Sequence, residues 1–116
     1  MSIPQISPLE AKNILDQNAD ATYVDVRSTQ EFQEGHPVGA VHLALLDFQN
    51  GQMAPNPKFT QDFETKFPKN KKLIIGCQAG GRSQRACELL QSLGYQDVSN
   101  VSGGYGAWEH YGLPTE

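Results

Sequence analysis

One stretch of the chain carries residue types whose spacing suits chemistry: Cys77-Gln78-Ala79-Gly80-Gly81-Arg82-Ser83. A short apolar run, Leu73-Ile74-Ile75-Gly76, comes before it and reads as a buried strand. After it, Ala86, Leu89, Leu90 and Leu93 recur at helical spacing in a segment from Ser83 to Leu93. Cys77 is therefore expected where a strand stops and a helix is about to start. A helix N-terminus exposes free backbone N–H groups and a partial positive charge. Successive N–H groups in a tight turn converge into an anion-binding concavity. Gly80 and Gly81 permit the positive φ angles such a turn needs. A sulfur at its centre has its anionic form stabilised, so the thiol pKa is expected to fall below its free value of about 8.5. Arg82 adds a fixed positive charge nearby. The stretch thus suits a negatively charged sulfur species, or an anion brought to it. In the competing reading Cys77 is a small apolar residue packed at a strand end. The glycine pair, the arginine and the helix start weigh against that.

Other reactive residue types are placed less pointedly. Asp25 and Arg27 stand at the end of another apolar run and read as a fold-holding ion pair. His36, His42 and His110 have no spacing that ties them to Cys77, and read as structural or surface residues. Cys87 lies in the helix after the loop and reads as a packing residue, the alternative being that it resolves an oxidised Cys77. Tyr105 and Trp108 follow Gly103-Gly104 and are expected to pack a last helix against the sheet. Two cysteines without C-x-x-C spacing suggest neither a structural zinc site nor a disulfide framework, and fit a reducing cytosol. No metal or cofactor is expected.

The elements that must position these residues alternate along the chain. Ser7-Pro8-Leu9-Glu10 is a helix start with a capping box, and Leu9, Ile14 and Leu15 supply part of an apolar face up to about Gln17. Thr22 to Val26 reads as a strand. Ser28 and Glu31 form a second capping box, for a short helix ending near Gly35. His36-Pro37-Val38-Gly39 is a turn, and Ala40 to Leu46 reads as a further buried strand. Phe48 to Asn56, with Asn50-Gly51 and two prolines nearby, reads as a loop. Phe59, Phe63 and Phe67 repeat every fourth residue on one helical face. Gly94 stops the helix after the reactive stretch, Asp97 to Val101 is a short strand, and the final helix carries Tyr105, Trp108 and Tyr111. The expectation is an α/β fold: an open, mainly parallel central sheet of about five strands, with helices on both faces. Such folds bind ligands at the carboxyl ends of their strands.

Composition narrows the partners. The 116 residues suit one domain, 1–116. The net charge of -4, with no basic block beyond Lys69, Lys71 and Lys72, argues against nucleic acid. No apolar segment approaches the ~20 residues of a membrane span, and Met1 to Gln5 does not read as a secretory signal. A cytoplasmic monomer is the expectation.

Three separated pieces resemble the single-domain rhodanese family of sulfurtransferases. The first runs from Tyr23-Val24-Asp25-Val26-Arg27 through Glu31-Phe32 and Gly35-His36 to Gly39-Ala40. The second is Cys77 to Ser83. The third is Gly103-Gly104-Tyr105-Gly106-Ala107-Trp108 with Gly112-Leu113-Pro114. In the first piece the proline stands one place early, as His36-Pro37-Val38-Gly39, which bears on the local turn. The resemblance implies that Cys77 takes a sulfane sulfur from a donor such as thiosulfate, a polysulfide or a persulfide. It then passes that sulfur, as a persulfide, to cyanide, a thiol or a partner protein. The amides of the loop, Gln78, Ala79, Gly80, Gly81, Arg82 and Ser83, suit such an anion. Arg82 either holds the donor or braces the loop. Gln78 and Ala79 bring no charge, so only modest affinity for dianionic thiosulfate is expected.

Two rivals remain. Phosphatases and arsenate reductases place five residues between cysteine and arginine, whereas four separate Cys77 from Arg82, a ring better suited to sulfur. A sulfur carrier or binding module with little turnover is the alternative from another class.

Overall fold

The strand that delivers Cys77 lies in the middle of the sheet. The computed structural model describes residues 2–116. Its elements, in chain order, are β1 (Gln5–Ile6), α1 (Pro8–Gln17), β2 (Thr22–Asp25), α2 (Thr29–Glu34), β3 (Val41–His42), β4 (Leu46–Gln49), β5 (Gln52–Pro55), α3 (Phe59–Lys66), β6 (Leu73–Gly76), α4 (Gly81–Ser92), β7 (Val98–Val101) and α5 (Gly104–His110). Five strands form one parallel sheet in the order β1-β7-β6-β2-β3. The central α/β sheet expected from the sequence is present.

Side-chain alternation sorts the core into two layers. Leu73 and Ile75 of β6, and Val24 and Val26 around β2, pack with Phe59, Phe63, Ala86 and Leu90 on the face covered by α3 and α4. Ile74 and Tyr23 point the other way, against Ala11, Tyr105 and Trp108 of α1 and α5. Both capping boxes form, at Ser7 with Glu10 and at Ser28 with Glu31. Phe59, Phe63 and Phe67 are all buried.

Several expectations are corrected. The segment from Ala40 to Leu46 is not one strand: only Val41–His42 pairs with β2. β2 ends at Asp25, so its neighbour has little backbone to pair with. Leu43 and Leu45 still bond to the carbonyls of Asp25 and Val26. The stretch from Phe48 to Asn56 is not a loop but most of a hairpin, β4 against β5, with Phe48 opposite Met53. Asn50 and Gly51 both have positive φ, 53° and 79°, the pattern of a type I′ turn. Leu9 and Leu89 lie on the exposed sides of α1 and α4 rather than in the core, and Tyr111 follows α5 half-exposed. α4 starts at Gly81, earlier than Ser83, and of the glycine pair only Gly80 has positive φ. β1, a two-residue strand, had no clear sequence signal. No described helix is long and apolar enough to cross a membrane.

Candidate active site

Cys77 leaves the carboxyl end of β6 with its side chain on the α3/α4 face, in register with Leu73 and Ile75. It is 2% exposed. Two donors meet its sulfur: the Gly80 backbone N–H at 3.0 Å and the Ser83 hydroxyl at 3.3 Å. Gly80 caps α4 with φ 111°, a conformation that turns its N–H back toward the sulfur and that a side chain disfavours. Burial pushes the Cys77 thiol up. Hydrogen bonds, from Ser83 first and then Gly80, outweigh this and leave the thiol below its ordinary value. The expected acidification is present in the geometry. Ser83→Ala removes the side-chain donor, and a hydrogen bond to a charged group is worth about 1.5–3 kcal/mol. The thiol pKa is therefore expected to rise. The pH dependence of Cys77 alkylation measures it, and an unchanged profile would remove Ser83 from the account.

The loop is held from behind by α5. The Tyr105 N–H donates to the Cys77 carbonyl at 2.7 Å, and the Gly106 N–H to the Gln78 carbonyl at 3.1 Å. This approach requires Gly104. A β-carbon there would sit 2.3 Å from the Cys77 oxygen, at φ 57°. Gly104→Ala is expected to cost upwards of about 1–3 kcal/mol in backbone strain, with the clash added. It should also displace the loop, so that alkylation of Cys77 slows even at temperatures where the variant is folded.

Ser83 is one member of a buried network. Its hydroxyl has one proton and three acceptors in reach: Cys77 Sγ, the Gly80 carbonyl at 3.2 Å and Asn100 Oδ1. Asn100, from β7, in turn donates to the Gly80 carbonyl at 3.2 Å and to Gln5 Oε1 at 2.8 Å. Sequence reading missed Asn100. Its signal was available, since Asn100 shares a strand face with Val98 and a polar residue at an inward position needs partners.

Arg82 does not face the sulfur as a free cation. Its Nη1 and Nη2 donate to the two carboxylate oxygens of Glu31 at 2.7 and 2.9 Å. The guanidinium holds the Glu31 carboxyl down to about 2. Glu31 thereby joins α2 to α4, a role beyond the cap read from sequence. Of the two sequence readings of Arg82, the bracing geometry is the one present.

Asp25 and Arg27 form the expected ion pair, both buried. Arg27 Nη2 donates to Asp25 Oδ2 at 2.7 Å and Nε to Oδ1 at 3.0 Å. The same guanidinium reaches the Gly35 carbonyl at 2.6 Å and Gln78 Oε1 at 3.2 Å, and stacks 4.3 Å from the Tyr105 ring centre. The pair therefore ties β2 to the reactive loop, to the end of α2 and to α5.

The remaining candidates stand apart from the sulfur. His36 Nδ1 meets the Phe32 carbonyl and His42 Nε2 the Arg27 carbonyl, while His110 is on the surface. Cys87 is fully buried in α4, and burial pushes its thiol up to about 12. It is the less nucleophilic of the two. Trp108 donates to the Pro114 carbonyl and stacks edge-on to Tyr23, a packing role. No three His, Cys, Asp or Glu side chains among the described residues group to hold a metal ion.

Comparison with known proteins agrees with this geometry. The family model described as "Rhodanese-like domain" matches residues 7–111. The chain is 38% identical over 94 residues to thiosulfate sulfurtransferase 16, chloroplastic, of Arabidopsis thaliana, covering 81% of this chain and 78% of that one. It is 30% identical over 116 residues to thiosulfate sulfurtransferase GlpE of Haemophilus influenzae, covering 100% and 97%. It spans only 54–63% of the length of three further plant relatives. The crystal structure of Rv0390 from M. tuberculosis superposes with a TM-score of 0.84 at 25% identity, covering 100% and 98% of the two chains. With a matching fold, a matching family model and relatives at this identity, the chain belongs to the rhodanese-like domain family.

Proposed function

We propose that the protein is a sulfurtransferase that works through a persulfide on Cys77. One observation carries the reading: a buried, acidified cysteine whose sulfur is met, among the described residues, by loop donors and by no histidine or carboxylate base. In the first step the Cys77 thiolate attacks the sulfane sulfur of a donor. With thiosulfate the S–S bond breaks and sulfite leaves with the bonding electron pair, so enzyme-S⁻ and S–SO3²⁻ become enzyme-S–S⁻ and SO3²⁻. In the second step an acceptor such as cyanide takes the outer sulfur and the thiolate returns. Splitting one transfer into two is the gain from covalent catalysis. The outer sulfur stays anionic throughout, so preorganised donors serve it better than a proton-transfer group.

The phosphatase reading finds little support. Its arginine would have to face the bound oxyanion, but Arg82 is committed to Glu31. Its general acid would have to be free, but Asp25 is committed to Arg27. The test is intact mass after brief incubation with polysulfide and with thiosulfate, then after cyanide. A gain of one sulfur atom that cyanide removes is expected, and no gain from either donor would overturn the proposal.

A further inference from the structure

Beside Arg82 and Gln78 of the reactive loop lies a surface with an apolar part and an acidic part. β4 and β5 pair only with each other, as a hairpin outside the main sheet. Its base is anchored: Asp47 accepts from the Thr29 N–H at 3.0 Å and from the Thr29 hydroxyl, and Asn56 donates to the Ala44 carbonyl at 2.9 Å. The hairpin is thereby held against the start of α2. It presents the cross-strand pair Phe48 and Met53, 51% and 41% exposed. Together with Glu31, Glu34 and Arg82 these two line a groove of about 370 Å³. A second cleft of about 320 Å³ shares Glu31 and Glu34 and continues past Arg27, Gln78 and Tyr105 to Glu109. Both therefore adjoin the reactive loop, one lined in part by Arg82 and the other by Gln78.

Charge around this continuous groove is one-sided. Its two cations, Arg27 and Arg82, are each neutralised by a carboxylate. Glu34 and Glu109 have no cation partner among the described residues. A small dianion meets repulsion here and leaves the apolar wall unused. A chain segment with lysine or arginine beside an apolar residue matches both.

We propose, building on the persulfide reading above, that this groove docks a segment of a partner protein carrying the exchanging cysteine between basic and apolar residues. The basic side chains meet Glu34 and Glu109, and the apolar one packs on Phe48 and Met53. The partner's thiolate then attacks the outer sulfur of the Cys77 persulfide. Enzyme-S–S⁻ and R–S⁻ become enzyme-S⁻ and R–S–S⁻, with no external oxidant or reductant. Complementary charge accelerates such encounters by about tenfold or more, and less so as salt screens it.

The test uses the whole protein and two synthetic peptides of equal length. One has a cysteine flanked by lysine and leucine, and the other has glutamate in place of lysine. The protein is first loaded from polysulfide and checked by intact mass. The basic peptide is expected to discharge the persulfide at least about tenfold faster than the acidic one, with the advantage falling as salt rises. Glu34→Gln with Glu109→Gln should shrink it, as should Phe48→Ser with Met53→Ser. Discharge to cyanide should not fall in either variant. Equal rates for the two peptides, or a preference untouched by these variants, would overturn the docking surface. Loading and docking are separated by a calorimetric titration of the same peptides with serine for cysteine. If no sulfur loads, the sulfurtransferase reading falls. The docking surface still stands or falls on whether the basic peptide alone binds and loses affinity in the Glu34→Gln, Glu109→Gln protein.

Discussion

Cys77→Ser is expected to leave the fold intact and to end sulfur uptake altogether. A hydroxyl is close to a thiol in size and, like it, accepts the hydrogen bonds from Gly80 and Ser83, so packing on the α3/α4 face changes little. It does not form a persulfide. Intact mass after polysulfide treatment should show no added sulfur, while the unfolding curve stays near that of the parent. Retained uptake in this variant would move the chemistry elsewhere. Cys87 is the only other thiol, and Cys87→Ser is the matching control. Its thiol is buried and weakly acidic, so turnover per folded molecule should persist. A comparable loss there would bring Cys87 into the cycle.

The largest effect on stability is expected at Arg27. Arg27→Met keeps much of the side chain's bulk and strips Asp25 of its counter-charge. Removing one partner of a buried ion pair costs about 3–5 kcal/mol, because the other is left desolvated and unpaired. In a domain of this size that corresponds to a fall in melting temperature of roughly 10–30 °C. Arg27→Lys should recover only part of it. A single ammonium cannot reach Asp25, the Gly35 carbonyl and Gln78 together, nor stack flat on Tyr105. Pairing Asp25→Asn with Arg27→Met should cost less than the sum of the two single changes. Simple additivity, or a loss below about 1 kcal/mol in Arg27→Met, a range ordinary for surface changes, would show that the pair does not hold the fold.

Much of the frame was legible because its signals are local. Capping boxes at Ser7 and Ser28, the four-residue spacing of Phe59, Phe63 and Phe67, and the apolar run before Cys77 each name an element without reference to the rest of the chain. Asp25 and Arg27 lie two residues apart, so their pairing was legible too. What stayed hidden is set by contacts distant in sequence. Glu31 reads as a cap until α4 brings Arg82 beside it, 51 residues on. Asn100 reads as an ordinary strand residue until β7 lies beside β6 and places it under Ser83. The hairpin carries a local signal, Asn50-Gly51, yet the stretch from Phe48 to Asn56 reads as a loop. Its flanks lack the β-branched alternation that usually announces strands. Leu9 and Leu89 are apolar residues left in solvent, a common state that composition alone does not reveal.

The backbone bonds from α5 to the reactive loop also bear on the order in which the protein becomes reactive during its synthesis. Cys77 leaves the ribosome before Gly104, Tyr105 and Gly106 exist. Until they arrive, the carbonyls of Cys77 and Gln78 lack the partners that fix the loop. The sulfur is then an ordinary thiol on an unformed turn, with no ring of donors to favour its anion. The nascent chain thus passes through translation with its cysteine in the less acidic form, and gains the more acidic one when α5 docks.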